Sequence, residues 1–272
     1  MNSIGENLKK IRLLNNLSLE EAGELMNMSK TAIRKYEMGV TVPDSEKVIQ
    51  FANAYQVKTL DILRVCQRPV MQFSSFRKKE RLKGRKLELL KSIIQDEVAN
   101  YLEVLDLNGI GGANLLKKYP CATLEDAEFA SEQFREYMQI SPRQPLSDLI
   151  SILENMGIVI VFVDNKNSLF DGFDGLSEYV NGVPVIALLG NMNDGARQRF
   201  TIAHELGHLL LDLKNDDIQE KLCNRFASAL LMPKEAVVCE FGSFRPNISF
   251  CELEAFKQEY KVSYAAINYR LK

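Results

Sequence analysis

Residues suited to building a sheet are confined to one part of this chain. No run of β-branched residues bounded by turn formers appears before Gly157; the first is IVIVFVD (158–164). A second, VPVIALLG (183–190), follows a loop that contains Gly172, Gly175 and Gly182. What precedes them repeats at helical period, so the chain can build a small sheet at most. The expected class is α+β, mostly helical. At 272 residues it is long enough for about two domains, each with its own core.

The N-terminal part reads as short helices with polar turns. IGENLKKIRLLNN puts Ile4, Leu8, Ile11 and Leu14 on one stripe. Ser18 with Glu21 forms a capping box that opens LEEAGELM, and Ser29 opens KTAIRKYEMG, which stops at Gly39. A further helix follows Pro43. The character then changes. Between Phe76 and Lys91 stand eight Lys or Arg (77, 78, 79, 81, 83, 85, 86, 91) against Glu80 and Glu88. This basic run leads into an amphipathic pattern (Leu87, Leu90, Ile93, Ile94, Val98, Tyr101, Leu102) that ends at Gly109. Helices over TLEDAEFASEQFREYMQI and LSDLISILENMG precede the first strand, and helices through EKLCNRFASALLM and the C-terminal tail follow the second. The expected division is a helix-turn-helix domain over 1–66, a basic linker and connecting helix over 67–120, and a second domain over 121–272.

Composition excludes some settings. The longest apolar runs fall far short of a membrane span, and the start MNSIGENLKK carries no apolar segment behind a basic one, so neither a membrane partner nor a signal peptide is expected. The five cysteines (Cys66, Cys121, Cys223, Cys239, Cys251) are odd in number and scattered, as reduced thiols of a cytoplasmic protein would be.

The chain has two histidines, and both lie in RFTIAHELGHLLLD (199–212). Residues i and i+4 of a helix share a face, so His204 and His208 can aim two imidazoles at one point. Glu205 sits about 100° round from His204, able to reach a metal-bound water without being a ligand. A catalytic zinc takes three protein ligands and keeps an open position, and with no third histidine the last must be a carboxylate or a thiolate. Asp212 is two turns from His204, about 12 Å along the axis, and cannot meet the same ion. Glu220 is better placed, since DLKNDD lets a second helix return beside the first. Asp216 and Asp217 are alternatives in that loop. Cys223 offers a thiolate, but its apolar neighbours suit core packing. Asn224, one turn after Glu220, can accept a hydrogen bond from a ligating imidazole. The strand PVIALLG could pair with an extended peptide or simply be a core strand.

RQRFTIAHELGHLLLD followed by EKLCNRFASALLMP resembles the ImmA/IrrE metallopeptidases, closely over 195–233, with further likeness in ISILENMGIVIVFVD and DGFDGLS. The resemblance implies a zincin-like domain with a small β-sheet holding one Zn2+ per chain, with His204, His208 and Glu220 as ligands and Glu205 as general base. Cys223 replaces the usual Ala, and Asp212 a frequent His. In relatives the domain cleaves or antagonises helix-turn-helix repressors in phage, mobile-element or stress responses. IGENLKKIRLLNNLSLEEAGELMNMSKTAIRKYEMGVTVPD is similar to the Cro-repressor type of helix-turn-helix, the XRE family, over residues 3 to 63. That likeness implies a five-helix DNA-binding domain whose recognition helix is Lys30 to Glu37, with Lys30, Thr31, Arg34 and Lys35 toward the major groove. Leu19 stands where many members have a Gln that touches DNA. The expected partners are double-stranded DNA, the protein's own or a nearby promoter, and a repressor as protein substrate; a pseudo-palindromic site would imply a homodimer. The alternative is a regulator whose zinc domain senses or binds a partner without cutting it.

Overall fold

The computed structural model describes residues 3–65, 69–73, 82, 84–109, 116–165, 169–190, 194–213, 217–243 and 247–271. Cys66, Asp216 and most of the basic run (77–81 and 83) lie outside the described residues. The chain divides into two compact units, Met1–Pro69 with Arg81–Gly111, and Val70–Glu80 with Gly112–Lys272.

The first unit begins with five helices, α1 (Ser3–Leu14), α2 (Leu19–Leu25), α3 (Lys30–Glu37), α4 (Ser45–Tyr55) and α5 (Thr59–Leu63). Their starts follow local chemistry. Ser18 and Glu21 exchange side-chain and backbone hydrogen bonds at the head of α2, while Ser29 caps α3 and Asp44 caps α4. Leu8, Ile11, Ala22, Ile33, Val48, Phe51 and Ile62 form the core. Leu14 departs from the expected stripe and is exposed, whereas Leu13 is buried. At about 100° per residue, position 14 falls roughly a quarter-turn off the line through 4, 8 and 11. Leu19, in the place of a DNA-touching Gln, packs against this core.

A buried ion pair braces the unit. The Arg12 guanidinium meets Glu37 through Nε (2.5 Å) and Nη2 (3.0 Å) and donates from Nη1 to the Leu17 carbonyl (2.7 Å). The long helix α6 (Arg85–Leu107) belongs to the same unit, with Lys9 paired to Glu88 at 3.1 Å and Lys10 to Asp96. It is as long as the sequence pattern predicts.

The second unit contains β1 (Tyr119–Cys121), α7 (Leu124–Tyr137), α8 (Leu149–Asn155), β2 (Val159–Val163), β3 (Gly175–Val180), β4 (Val183–Leu189), α9 (Gly195–Leu210), β5 (Leu211–Leu213), α10 (Gln219–Leu231), α11 (Lys234–Phe241), α12 (Phe250–Tyr260) and α13 (Tyr264–Arg270). The three-stranded sheet has the order β2-β4-β3, with β2 parallel and β3 antiparallel to β4. A separate parallel pair joins β1 to β5. The fold is α+β and mostly helical, as expected.

Two expectations need correction. The glycine-containing stretch between the two apolar runs is not all loop, because Gly175–Val180 is a strand. Asn181 and Gly182, both at positive φ (52° and 82°), turn it directly into β4. An Asn-Gly pair with both residues left-handed is the two-residue turn that matches strand twist. In consequence β4, the strand considered for peptide pairing, is central, hydrogen-bonded on both edges and buried throughout. β2 and β3 are the edge strands of this sheet.

One further segment belongs to this unit. Met71 and Phe73 are buried, and the backbone N–H groups of Gln72 (2.5 Å) and Phe73 (3.0 Å) both donate to the Glu178 carboxylate on β3. The C-terminal α13 is held to α7 by Glu128, which receives Arg270 and Arg225. The Cys121 thiol, with its pKa pushed up to about 11 by burial, and the buried Cys223 are inert core residues, while Cys239 and Cys251 are exposed.

Candidate metal centre

Helix α9 starts at Asp194, whose carboxylate accepts the N–H groups of Ala196 and Arg197, and runs through the interior to Leu210. Ile202, Ala203, Leu206, Leu209 and Leu210 lie in the main core, so the helix cannot rotate without exposing them. That fixes His204 and His208 on one side, with ring centroids 5.0 Å apart. Helix α10 returns alongside. Gly207 permits the close approach, since a Cβ there would sit 3.3 Å from Cα and Cβ of Cys223 and from Cδ1 of Phe226. Cys223 is therefore a packing residue at the helix crossing, fully buried.

The first turn of α10 brings Glu220 to both imidazoles, with Oε2 3.3 Å from His204 Nε2 and Oε1 3.4 Å from His208 Nε2. The ligand-type atoms of these three residues all lie within 4.8 Å of one another. Asn224, one turn on, places Oδ1 2.9 Å from His204 Nδ1. An amide oxygen can only accept, so Nδ1 carries a proton, and in the neutral ring Nε2 then presents its lone pair toward a carboxylate oxygen. At 3.3 Å that contact calls for positive charge, which either a second ring proton or a bound metal cation supplies. The spacing also suits one: Zn–N and Zn–O bonds near 2.0–2.1 Å in a tetrahedron separate neighbouring ligand atoms by about 3.3–3.4 Å. The donor set fits zinc.

Glu205 is buried at 3% exposure. Its Oε2 accepts a 2.8 Å hydrogen bond from Ser177 Oγ on β3, a contact that no spacing in the sequence announces. The Asn-Gly turn is the available signal, since it fixes which residues of β3 face α9. Asp212 lies exposed on β5, because α9 ends at Leu210 and the chain turns extended. Asp217 is exposed in the turn before α10 and is absent from the converging group.

In the first unit, Lys30, Thr31, Arg34 and Lys35 are all exposed on α3, the helix that buries Ile33. Lys30 reaches back to Glu20 at 2.9 Å, and this hydrogen bond holds the Glu20 carboxyl below its usual range.

Comparison with known proteins agrees with both halves. The family model of the IrrE N-terminal-like domain matches residues 153–272, and that of the helix-turn-helix matches residues 8–62. No curated protein matches the sequence significantly. Among solved structures the chain is similar to Bacillus thuringiensis PlcR, in its crystal structure with the peptide PapR7 and DNA, at 14% identity and a TM-score of 0.23, covering 99% of this chain and 73% of that one. A score that low carries no functional inference.

Proposed function

We propose that this chain, which joins a helix-turn-helix domain (8–62) to a domain of the ImmA/IrrE type (153–272) and is thereby a DNA-binding regulator, is also a zinc endopeptidase. Its substrate on this reading is a helix-turn-helix repressor whose removal turns on stress or mobile-element genes. The observation that carries the proposal is the convergence of His204, His208 and Glu220, on a helix where the buried Glu205 directly follows His204. Structural zinc sites are closed by four protein ligands, whereas three leave a position for chemistry. On this reading residues 1–66 bind DNA and 121–272 carry the metal site, while the stretch expected to connect them, 67–120, is divided between the two units. Among the described residues no helix is long and apolar enough to cross a membrane.

His204, His208 and Glu220 would hold the ion, and Asn224 would set the tautomer of His204. Zinc bound there would supply Lewis-acid polarisation of a scissile carbonyl and bring water within reach of deprotonation near neutral pH. Glu205 accepts the proton and returns it to the leaving amine. An extended peptide has the edge of β3, the strand that touches Glu205, to pair with.

Ala at His204, His208 or Glu220 is expected to take the zinc content, measured by atomic absorption, from one per chain to near zero. Full occupancy in Glu220→Ala would transfer the third ligand to Asp217 or Asp216. On the DNA side, Arg34→Ala with Lys35→Ala is expected to abolish specific binding to an operator in the protein's own or a neighbouring promoter and leave zinc untouched. Wild-type affinity should fall as salt rises. Operator binding unchanged in the double variant would rule out α3 as the recognition helix, and a pseudo-palindromic operator would mark the bound form as a dimer.

A further inference from the structure

We propose that Ser177 is a positioning residue for Glu205, committing one carboxylate oxygen to a fixed hydrogen bond so that proton transfer falls to the other. The inference rests on reading Glu205 as the general base and deepens it. Both partners are buried, Ser177 at 8% and Glu205 at 3% exposure, and the 2.8 Å bond is the one hydrogen bond to this carboxylate among the described residues. A carboxylate out of water needs donors, and a glutamate side chain with three rotatable bonds needs something at its head to keep one orientation.

The fold supplies the contact by a specific device. Alternate residues of a strand face the same side, so Gly175 and Ser177 both point from β3 onto α9. At Gly175 a Cβ would lie 3.0 Å from Thr201 Cγ2 and 3.2 Å from Glu205 Cγ. The glycine thus admits the methylenes of Glu205, and two residues on the hydroxyl meets its head group. The next residue, Glu178, faces the opposite side and holds the amides of Gln72 and Phe73, which keeps Ser177 from being replaced on α9 by a register slip. A serine hydroxyl has a single proton to give, and giving it to Oε2 leaves Oε1 as the basic oxygen.

The test uses the full chain loaded with zinc, a quenched fluorogenic peptide pool of mixed sequence as probe, and carbon-13 NMR of glutamate-labelled, metal-free protein with the Glu205 side-chain carboxyl assigned through Glu205→Gln. Ser177→Ala is expected to keep one zinc per chain and KM, and to lose about 10- to 100-fold in kcat, the range found when groups that orient a metal site are removed. Ser177→Thr, which restores the hydroxyl, is expected to recover kcat. The Glu205 carboxyl resonance should move in Ser177→Ala and return in Ser177→Thr. An alanine variant with unchanged kcat and an unmoved resonance overturns the proposal, as does a loss that threonine does not rescue. If the wild type cuts no peptide, the peptidase reading fails, and the metal-free resonance still decides whether Ser177 holds Glu205.

Discussion

In Glu205→Gln, zinc stays at one per chain and operator binding is unchanged, while cleavage of the partner repressor falls by about 10²–10⁴, the usual contribution of a positioned proton acceptor. The substitution preserves shape at a site with little room, since Glu205 is 3% exposed. The amide oxygen of glutamine can still accept from Ser177 Oγ, so the packing of β3 on α9 survives. What is lost is the ability to take a proton. In the cell the variant should bind the repressor without cutting it, leaving its target genes silent. If the domain is instead a sensor, wild type and variant relieve repression equally and the repressor stays full length. An intact repressor under inducing conditions with zinc-loaded wild type therefore sinks the peptidase reading.

Arg12→Ala is expected to cost the first unit about 3–5 kcal/mol, because it leaves the Glu37 carboxylate buried without its counter-charge. The exposure of both side chains is 6%, so water cannot substitute. Against total domain stabilities of roughly 5–15 kcal/mol, the loss is enough to unfold a large part of the population and abolish operator binding. Glu37 is the last residue of α3, so the same pair also fixes the end of the helix proposed to enter the major groove. Denaturant melts of the full chain should show the first transition displaced and zinc content intact. Replacing both partners with apolar residues, Arg12→Met with Glu37→Leu, should recover most of the stability. A single variant within about 1 kcal/mol of wild type would show that the pair is a surface-like contact of little value.

Much of this is legible in the sequence because it is local. Ser18 and Ser29 announce their helices through hydrogen bonds to residues three positions away, and the His204–His208 spacing follows from one turn of helix. Glu220 and Asn224 follow from the idea of a returning helix, and the two side chains do lie at the imidazoles. What escapes a reading of the sequence depends on contacts between segments far apart in the chain. The residues of β3 alternate too weakly to announce a strand, and the three-residue β1 and β5 exist through each other. The Ser177 bond spans 28 positions, and the Arg12–Glu37 pair joins two helices that neither residue marks. Asp212 continues the helical spacing of the histidines because its neighbours keep the apolar period, yet the chain has already gone extended there to meet β1.

The way the two units share the chain bears on how the protein can be taken apart. Because Val70–Glu80 counts with the second unit and Arg81–Gly111 with the first, the backbone changes allegiance three times, and no single cut yields both units whole. A fragment ending at residue 69 gives up α6 and its ion pairs to α1, and one starting at residue 112 strips two amides from Glu178 on the strand that also carries Ser177. Dissection by truncation would thus injure each half in the act of isolating it, and assigning activities calls for point substitutions in the intact chain.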